Sequence, residues 1–250
     1  MKILLNERAL LRVSGSEAEL FLQNQLTNDI MLLNTSSVQL SAYCQHQGKI
    51  IGLFWLVRLD EDFLISLPSD LLQLVISRLK MFILMSDVII EDITMNYNQI
   101  GLINTEHENA FSINHNLSLL IETKNIKTDI NTNENYQWTK ACIDSFLPEV
   151  TKATSEKFVP QMLNLDEDEI GVNFSKGCYP GQEVVARLHY LGSANRRLFT
   201  FKSNQEMRVG DSLYCSSSKT ALARGDRYKG SGVVVSKVKY NSLFYCLATL

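Results

Sequence analysis

The first amphipathic stretch is SEAELFLQNQLTNDI, where Leu20, Phe21, Gln25 and Leu26 fall on a helical stripe. Ser16 with Glu19 three residues on has capping-box spacing, which predicts the helix start. The run VQLSAYCQHQGKIIGLFWLVRLDEDFLISLP then reads as three strands, with turns at Gln47-Gly48-Lys49 and Asp60-Glu61-Asp62. Ser69 is expected to cap an amphipathic helix running to about Met85, and DVIIEDIT returns as a strand. Helix, hairpin, helix and strand in that order predict an α+β layer domain.

Residues 96 to 137 are polar and Asn-rich, with strand-like pieces at QIGLI and LSLLIET, and are expected to form an exposed connection. After Gly192 the chain breaks into short β-rich pieces, RRLFTFKS, DSLYCSS and GSGVVVSKVKYNSLFYCLATL, separated by turn residues. That spacing suits a small barrel or sandwich. The expected division is residues 1–192, a bipartite α+β region, and residues 193–250, a small β-barrel.

The 250 residues are 45% hydrophobic and 20% charged, a globular composition. A formal net charge of -3 gives no bulk attraction to polyanions, so nucleic-acid contact would need a local basic patch. The tail offers one: Lys202, Arg208, Lys219, Arg224, Arg227, Lys229, Lys237 and Lys239. A solvated β surface is the competing reading. No apolar run reaches the ~18 residues of a membrane span. LLQLVISRLKMFILM is interrupted by Gln73, Arg78 and Lys80, and the N-terminus lacks a secretory pattern. A cytoplasmic protein without membrane contact is expected. The five cysteines are widely spaced and include no C-x-x-C pair, which predicts reduced thiols and no locally encoded metal site.

One stretch departs from this ordinary pattern: KGCYPGQEVVARLHYLG, residues 176 to 192. Lys176 sits beside Cys178, and a nearby cation lowers a thiol's pKa from its ordinary ~8.5 and raises its thiolate fraction. Gly177 is expected to permit close backbone approach and positive φ. Pro180 and Gly181 turn the chain, and Gln182 and Glu183 open the next element. Val184, Val185 and Leu188 fit a helix, whereas the alternation Val184, Ala186, Leu188, Tyr190 fits a strand. Both readings stay open. A tight loop with a buried cysteine is the bland alternative to a reactive Cys178.

KGCYPGQE closely resembles the K-G-C-Y-x-G-Q-E signature of the folate-binding YgfZ proteins, relatives of the glycine-cleavage T-protein (aminomethyltransferase). GSEAELFLQNQLTNDI resembles the family's N-terminal segment, with Asn24 in place of the usual Gly, and FVPQMLNL resembles its F-x-P-Q-x-x-N-L. Trp138 followed by Cys142-Ile143-Asp144 resembles a tryptophan and Ile-Glu-x-G turn, with Asp for Glu and Ser145-Phe146 for the small residues. The likeness touches most of residues 10–197.

The resemblance implies a T-protein-like three-part ring of α+β layers closed by a C-terminal β-barrel, with a folate-sized channel. It implies tetrahydrofolate or a folate derivative as cofactor, with Trp138, Asp144, Gln161, Tyr179, Gly181, Gln182, Glu183 and Arg187 as candidate binding residues. Arg196 and Arg197 are alternative partners for the glutamate tail. A core position is the competing reading of Trp138. Cys178 and Lys176 are the candidates for chemistry. The implied function is a folate-binding accessory protein that supports iron–sulfur enzymes, including those that modify tRNA. Weak tRNA contact through the basic tail is an added expectation. The alternative is a tetrahydrofolate-dependent aminomethyl transferase or demethylase. The T-protein's acidic pair falls here on Gly52 and Leu53, which cannot relay a proton, so turnover of that kind is disfavoured.

Overall fold

The computed structural model describes residues 1–83, 86–124, 134–213 and 232–250. The chain opens with β1 (Lys2–Leu4), β2 (Arg8–Ser14) and α1 (Ala18–Gln25), followed by β3 (Gln39–Cys44), β4 (Ile50–Leu59) and β5 (Asp62–Pro68). Next come α2 (Leu72–Lys80) and β6 (Ile89–Asp92). These strands form a five-stranded sheet in the order β3-β4-β5-β2-β6. Its pairings are antiparallel throughout.

β4 reads IIGLFWLVRL because it is buried on both faces. Phe54 and Leu56 pack with α1 and α2 through Phe21, Leu22, Val75 and Leu79. Leu53, Trp55 and Val57 point the other way, into a core shared with the rest of the molecule. The β3–β4 pairing slips by one residue beyond Tyr43 and Gly52, resuming at Cys44 and Ile50. Such a slip reverses which face each side chain takes, and so Ile50 joins the shared core while Ile51 joins the outer one.

The stretch expected to be a connection is a second sheet. β7 (Tyr97–Ile103), β8 (Phe111–Ser112) and β9 (Leu117–Thr123) form it with β1, in the order β1-β7-β9-β8. QIGLI and LSLLIET are paired along their length, Ile100 opposite Leu120. α3 (Asn135–Asp144) follows, and the end of the expected connection, residues 125–133, lies outside the described residues.

Two helix caps differ from expectation. Ser16 does not cap α1: its hydroxyl donates to Asp87 Oδ2 at 2.7 Å, fastening the β2–α1 corner to the strand that follows α2. Ser69 belongs to a 3-10 turn, Ser69–Leu71, ahead of α2, which ends at Lys80 rather than near Met85.

After α4 (Gln182–Leu191), the tail makes a third antiparallel sheet from β10 (Leu198–Ser203), β11 (Ser212–Leu213), β12 (Gly232–Tyr240) and β13 (Leu243–Thr249). Its order is β10-β13-β12-β11. Val235, Val238 and Leu247 join the shared core beside Trp138, Phe158 and Val185. One core therefore touches all three sheets, as in the expected ring. Among the described residues, no helix is long and apolar enough to cross a membrane.

Candidate functional site

The signature loop is built on Asn173. Its Oδ1 accepts from the backbone N–H groups of Ser175 and Lys176 at 2.8 and 3.0 Å and turns the chain. Lys176 then sends its side chain inward, away from the role expected for it. Its ammonium donates to the carbonyls of Gln23, Leu26 and Asn28 at 2.6, 2.5 and 2.9 Å. All three of its donors are thereby used, two on the C-terminal end of α1 and one on the segment just after it. The correction is physical: a long side chain beside a thiol in sequence found a better acceptor set one helix away. Burial pulls the Lys176 pKa down to about 8, with Asp29 opposing.

Cys178 is exposed. Among the other described cysteines, Cys44 and Cys246 are buried and Cys142 is half-buried. Burial pushes the thiols of Cys44 and Cys142 far up, and that of Cys246 to about 11. Cys215 lies outside the described residues. Among the described cysteines the exposed thiol is thus the one in the signature, and the buried-loop alternative does not hold. Tyr179, next in sequence, is buried, and its hydroxyl is held well above its ordinary value by desolvation and then by Cys44.

Residues 182–191 form a helix. The arbiter is tertiary. Gly181, at φ 83°, lets the chain enter α4 while pressed against the β3–β4 turn; a Cβ there would lie 2.4 Å from the Gln45 carbonyl oxygen. Gly48 faces Val184 across the same contact. Gln161 Nε2 donates to the Val185 carbonyl at 2.7 Å and ties α4 to the 3-10 turn Pro160–Leu163. Gly177 does not have the expected role: its φ is not positive, and an added Cβ meets nothing within 4 Å.

A cavity of about 280 Å³ opens beside β3 and β4, lined by Leu32, Gln39, Leu40 and Trp55, with Ile113, Leu147 and Ile170. It is wired to the signature loop. Asn28, whose carbonyl holds Lys176, donates through Nδ2 to the carbonyls of Leu40 and Ile170 at 2.9 and 3.2 Å. Gln39 Nε2 donates to the Asp29 carbonyl at 2.7 Å, leaving Gln39 Oε1 buried without a partner. Leu53, buried on the Trp55 face of β4, brings no acid to this interior. A second hollow, about 580 Å³, lies beyond the Ser37–Ser112 bridge and is lined by Arg58, Asp60, Tyr97 and Glu108 among others. Neither Gln39 nor the Leu40 and Ile170 segments that Asn28 holds line it, so the smaller cavity, which has all three, is the candidate.

The expected folate residues divide. Trp138 is a core residue: it lies over Gly101 and meets Trp55 edge-on, ring centroids 5.9 Å apart, supporting the cavity wall from behind. Asp144 is exposed at the end of α3 and paired with Lys140, so it does not face the cavity. Gln161 is buried against α4, with its Oε1 unpartnered. Glu183 and Arg187 are exposed and Gln182 half-buried on the first turns of α4. None of them, nor Tyr179 or Gly181, lines the cavity. Arg197 is committed to Asp166 and to the Gln161 carbonyl.

Sequence reasoning missed Trp55, Gln39 and Asn28. Trp55 was visible only as one of several apolar residues in β4. Arg8, whose guanidinium carbon lies 4.0 Å from the Trp55 ring centroid, was missed too; it donates to Ser66 and Glu149 and is buried. Among the described residues, no group of His, Cys, Asp and Glu is arranged to hold a metal ion. Of the basic tail, Lys202 lies over Tyr245 and Lys237 and Lys239 over Phe244. Lys219, Arg224, Arg227 and Lys229 lie outside the described residues.

The buried Lys176 charge carries a pH prediction. Its folded pKa lies below the unfolded value near 10.4, so the unfolded chain binds more protons between about pH 8 and 10.4 and stability rises with pH across that window. Relative to Lys176→Met, denaturant unfolding should show the wild type gaining about 1 kcal/mol between about pH 8 and 9. A constant difference would show that the ammonium is not held in this way.

No family model matches the chain. It is 34% identical over 253 residues to an uncharacterized protein of Haemophilus influenzae, covering 97% of this chain and 86% of that one. It is 30% identical over 233 residues to the tRNA-modifying protein YgfZ of Colwellia psychrerythraea, covering 81% and 71%. With YgfZ of Photorhabdus laumondii the identity is 26% over 275 residues, covering 96% and 80%. In structure, the whole chain superposes on 77% of the glycine cleavage system aminomethyltransferase T from Bartonella henselae, at TM-score 0.63 and 12% identity. That likeness shows the fold.

Proposed function

Because the chain belongs to the YgfZ family of tRNA-modifying proteins, we propose that it supports tRNA modification as a folate-binding accessory protein that presents the Cys178 thiol. One observation carries this reading: an exposed cysteine loop is hydrogen-bonded, through Asn28, to the wall of an aromatic cavity that lacks an acid.

The cavity suits the flat head of a reduced folate. Trp55 supplies an aromatic wall, and Gln39, which also lines the cavity, has an amide oxygen with no partner in the protein that would accept from an amino-pyrimidinone N–H once turned toward the ligand. Folate carries one-carbon units on its ring nitrogens. Here Trp55 and Gln39 would bind and orient it, and no Asp or Glu lies between Tyr43 and Leu59 to supply the acid of that transfer. Losing a positioned acid costs about 10²–10⁴-fold in rate, which disfavours the aminomethyltransferase alternative despite the shared fold.

The partners in this reading are iron–sulfur enzymes of the cytoplasm, including those that modify tRNA. A single thiol cannot hold a cluster, so Cys178 would act together with ligands from the client. Complementation tests it. In cells lacking the protein, the wild type should restore methylthiolated tRNA nucleosides, read by mass spectrometry, and Cys178→Ser should not. Cys246→Ser, at a buried thiol, is the matched control. Full restoration by Cys178→Ser would remove the thiol from the mechanism.

A further inference from the structure

α1 ends without help from its own sequence. No basic residue lies in its last turn, and the Leu26 N–H closes it on the Leu22 carbonyl alone. The carbonyls of Gln23 in its last turn, of Leu26 at its C-cap and of Asn28 two residues beyond accept from the Lys176 ammonium, which comes from a segment about 150 residues away in the chain. A cation is favoured at the negative end of a helix. Burying one is nonetheless costly, and Lys176 is only 7% exposed. The residue is therefore a poor device for stability alone. What it does achieve is positional: its own N–H is held by Asn173 Oδ1, its ammonium by three carbonyls, and Cys178 follows two residues later in the open.

We propose that Lys176 is a positioning residue: its ammonium fastens the Cys178 loop to the carbonyl end of α1, and loss of its proton loosens that loop. The proposal rests on Cys178 being the working thiol and adds that the loop's anchor is ionisable. A neutral amine keeps two N–H donors but turns a lone pair toward an oxygen, so one of the three contacts becomes repulsive. Two titratable groups on neighbouring segments face the ammonium. The Asp29 carboxylate, at the start of the 3-10 turn Ile30–Leu32, favours the charged form. The Tyr179 ring lies 5.4 Å from Nζ, and its hydroxyl is kept protonated by burial. Desolvation outweighs Asp29, which brings the ionisation to about 8.

The test follows the loop, not the cofactor. In wild-type protein carrying ¹³C-labelled lysine, the Lys176 Cε resonance should titrate in the mildly alkaline range. The backbone amides of residues 176–179 should move with the same midpoint. In Lys176→Met those amide shifts should disappear. The rate of Cys178 alkylation by a neutral reagent, corrected for thiolate fraction, should rise by about threefold or more at neutral pH, the effect of losing one ordinary hydrogen bond. Its pH profile should also reduce from two ionisations to one. Amides that stay still while the lysine titrates would overturn the proposal, as would a variant whose profile matches the wild type. If Lys176→Met does not fold, the wild-type titration decides alone. Neither measurement uses folate, so failure here leaves the cofactor half of the proposed function standing.

Discussion

Replacing Gly181 by alanine is expected to destabilise the protein by about 3 kcal/mol or more, lowering its melting temperature by roughly 6–12 °C. Two costs add. A non-glycine residue held at φ 83° is strained by about 1–2 kcal/mol. The new methyl would also stand 2.4 Å from the Gln45 carbonyl oxygen and 2.8 Å from the N and Cα of Gly48. These are backbone atoms of the β3–β4 turn, which cannot rotate aside. Either the turn or the start of α4 must move, and the Cys178 loop moves with it. Gly177→Ala is the internal control. Its site is open and its φ ordinary, so the change should stay within about 0.5 kcal/mol. Thermal unfolding of the two variants side by side separates them. Similar melting temperatures would mean that the glycine-to-glycine contact does not hold the loop.

Trp55→Ala should cost about 3–5 kcal/mol, the range for removing a large buried aromatic. The side chain is 6% exposed, meets Trp138 edge-on and lies beneath the Arg8 guanidinium, so its loss frees two partners at once. Trp138→Ala should be destabilising to a similar degree. The two differ in ligand binding. Trp55 forms the cavity wall, whereas Trp138 stands behind it. Measured well below both melting transitions, Trp55→Ala should weaken tetrahydrofolate binding by about tenfold or more, the effect of losing one stacking surface. Trp138→Ala should weaken it less. Equal losses would place both rings at the ligand, or neither.

The hairpin was legible because it is local. β4 is apolar at successive positions, its turns carry Gly and Asp, and β3 and β5 are its neighbours in sequence. The second sheet was not, because its β1–β7 edge joins residues almost a hundred apart. Ile3 sits opposite Gly101, a pairing that no local pattern encodes, and its strands lie in a polar, Asn-rich surrounding. The ten residues of α4 satisfy helical and strand periodicity equally; only the docking of Gly181 on the β3–β4 turn and the Gln161 bond decide between them.

The site was legible as a motif and not as a geometry. Sequence adjacency put Lys176 beside Cys178, but a lysine reaches several ångströms, and its ammonium found the end of α1 instead. Asp144 stood where the related family has a glutamate, yet it lies exposed against Lys140. Phe146, in place of the glycine of that turn, takes φ 53° all the same, so the backbone shape survives where the residue type does not.

A fluorescence titration with tetrahydrofolate is the most direct test of a pterin cavity joined to an exposed thiol. The protein has two tryptophans, Trp55 on the cavity wall and Trp138 in contact with it, so bound pterin should quench their emission. The expected result is saturable quenching at one ligand per chain, with Cys178 still open to alkylation in the complex. Emission that falls only in proportion to added absorbance, without saturation, would contradict the account.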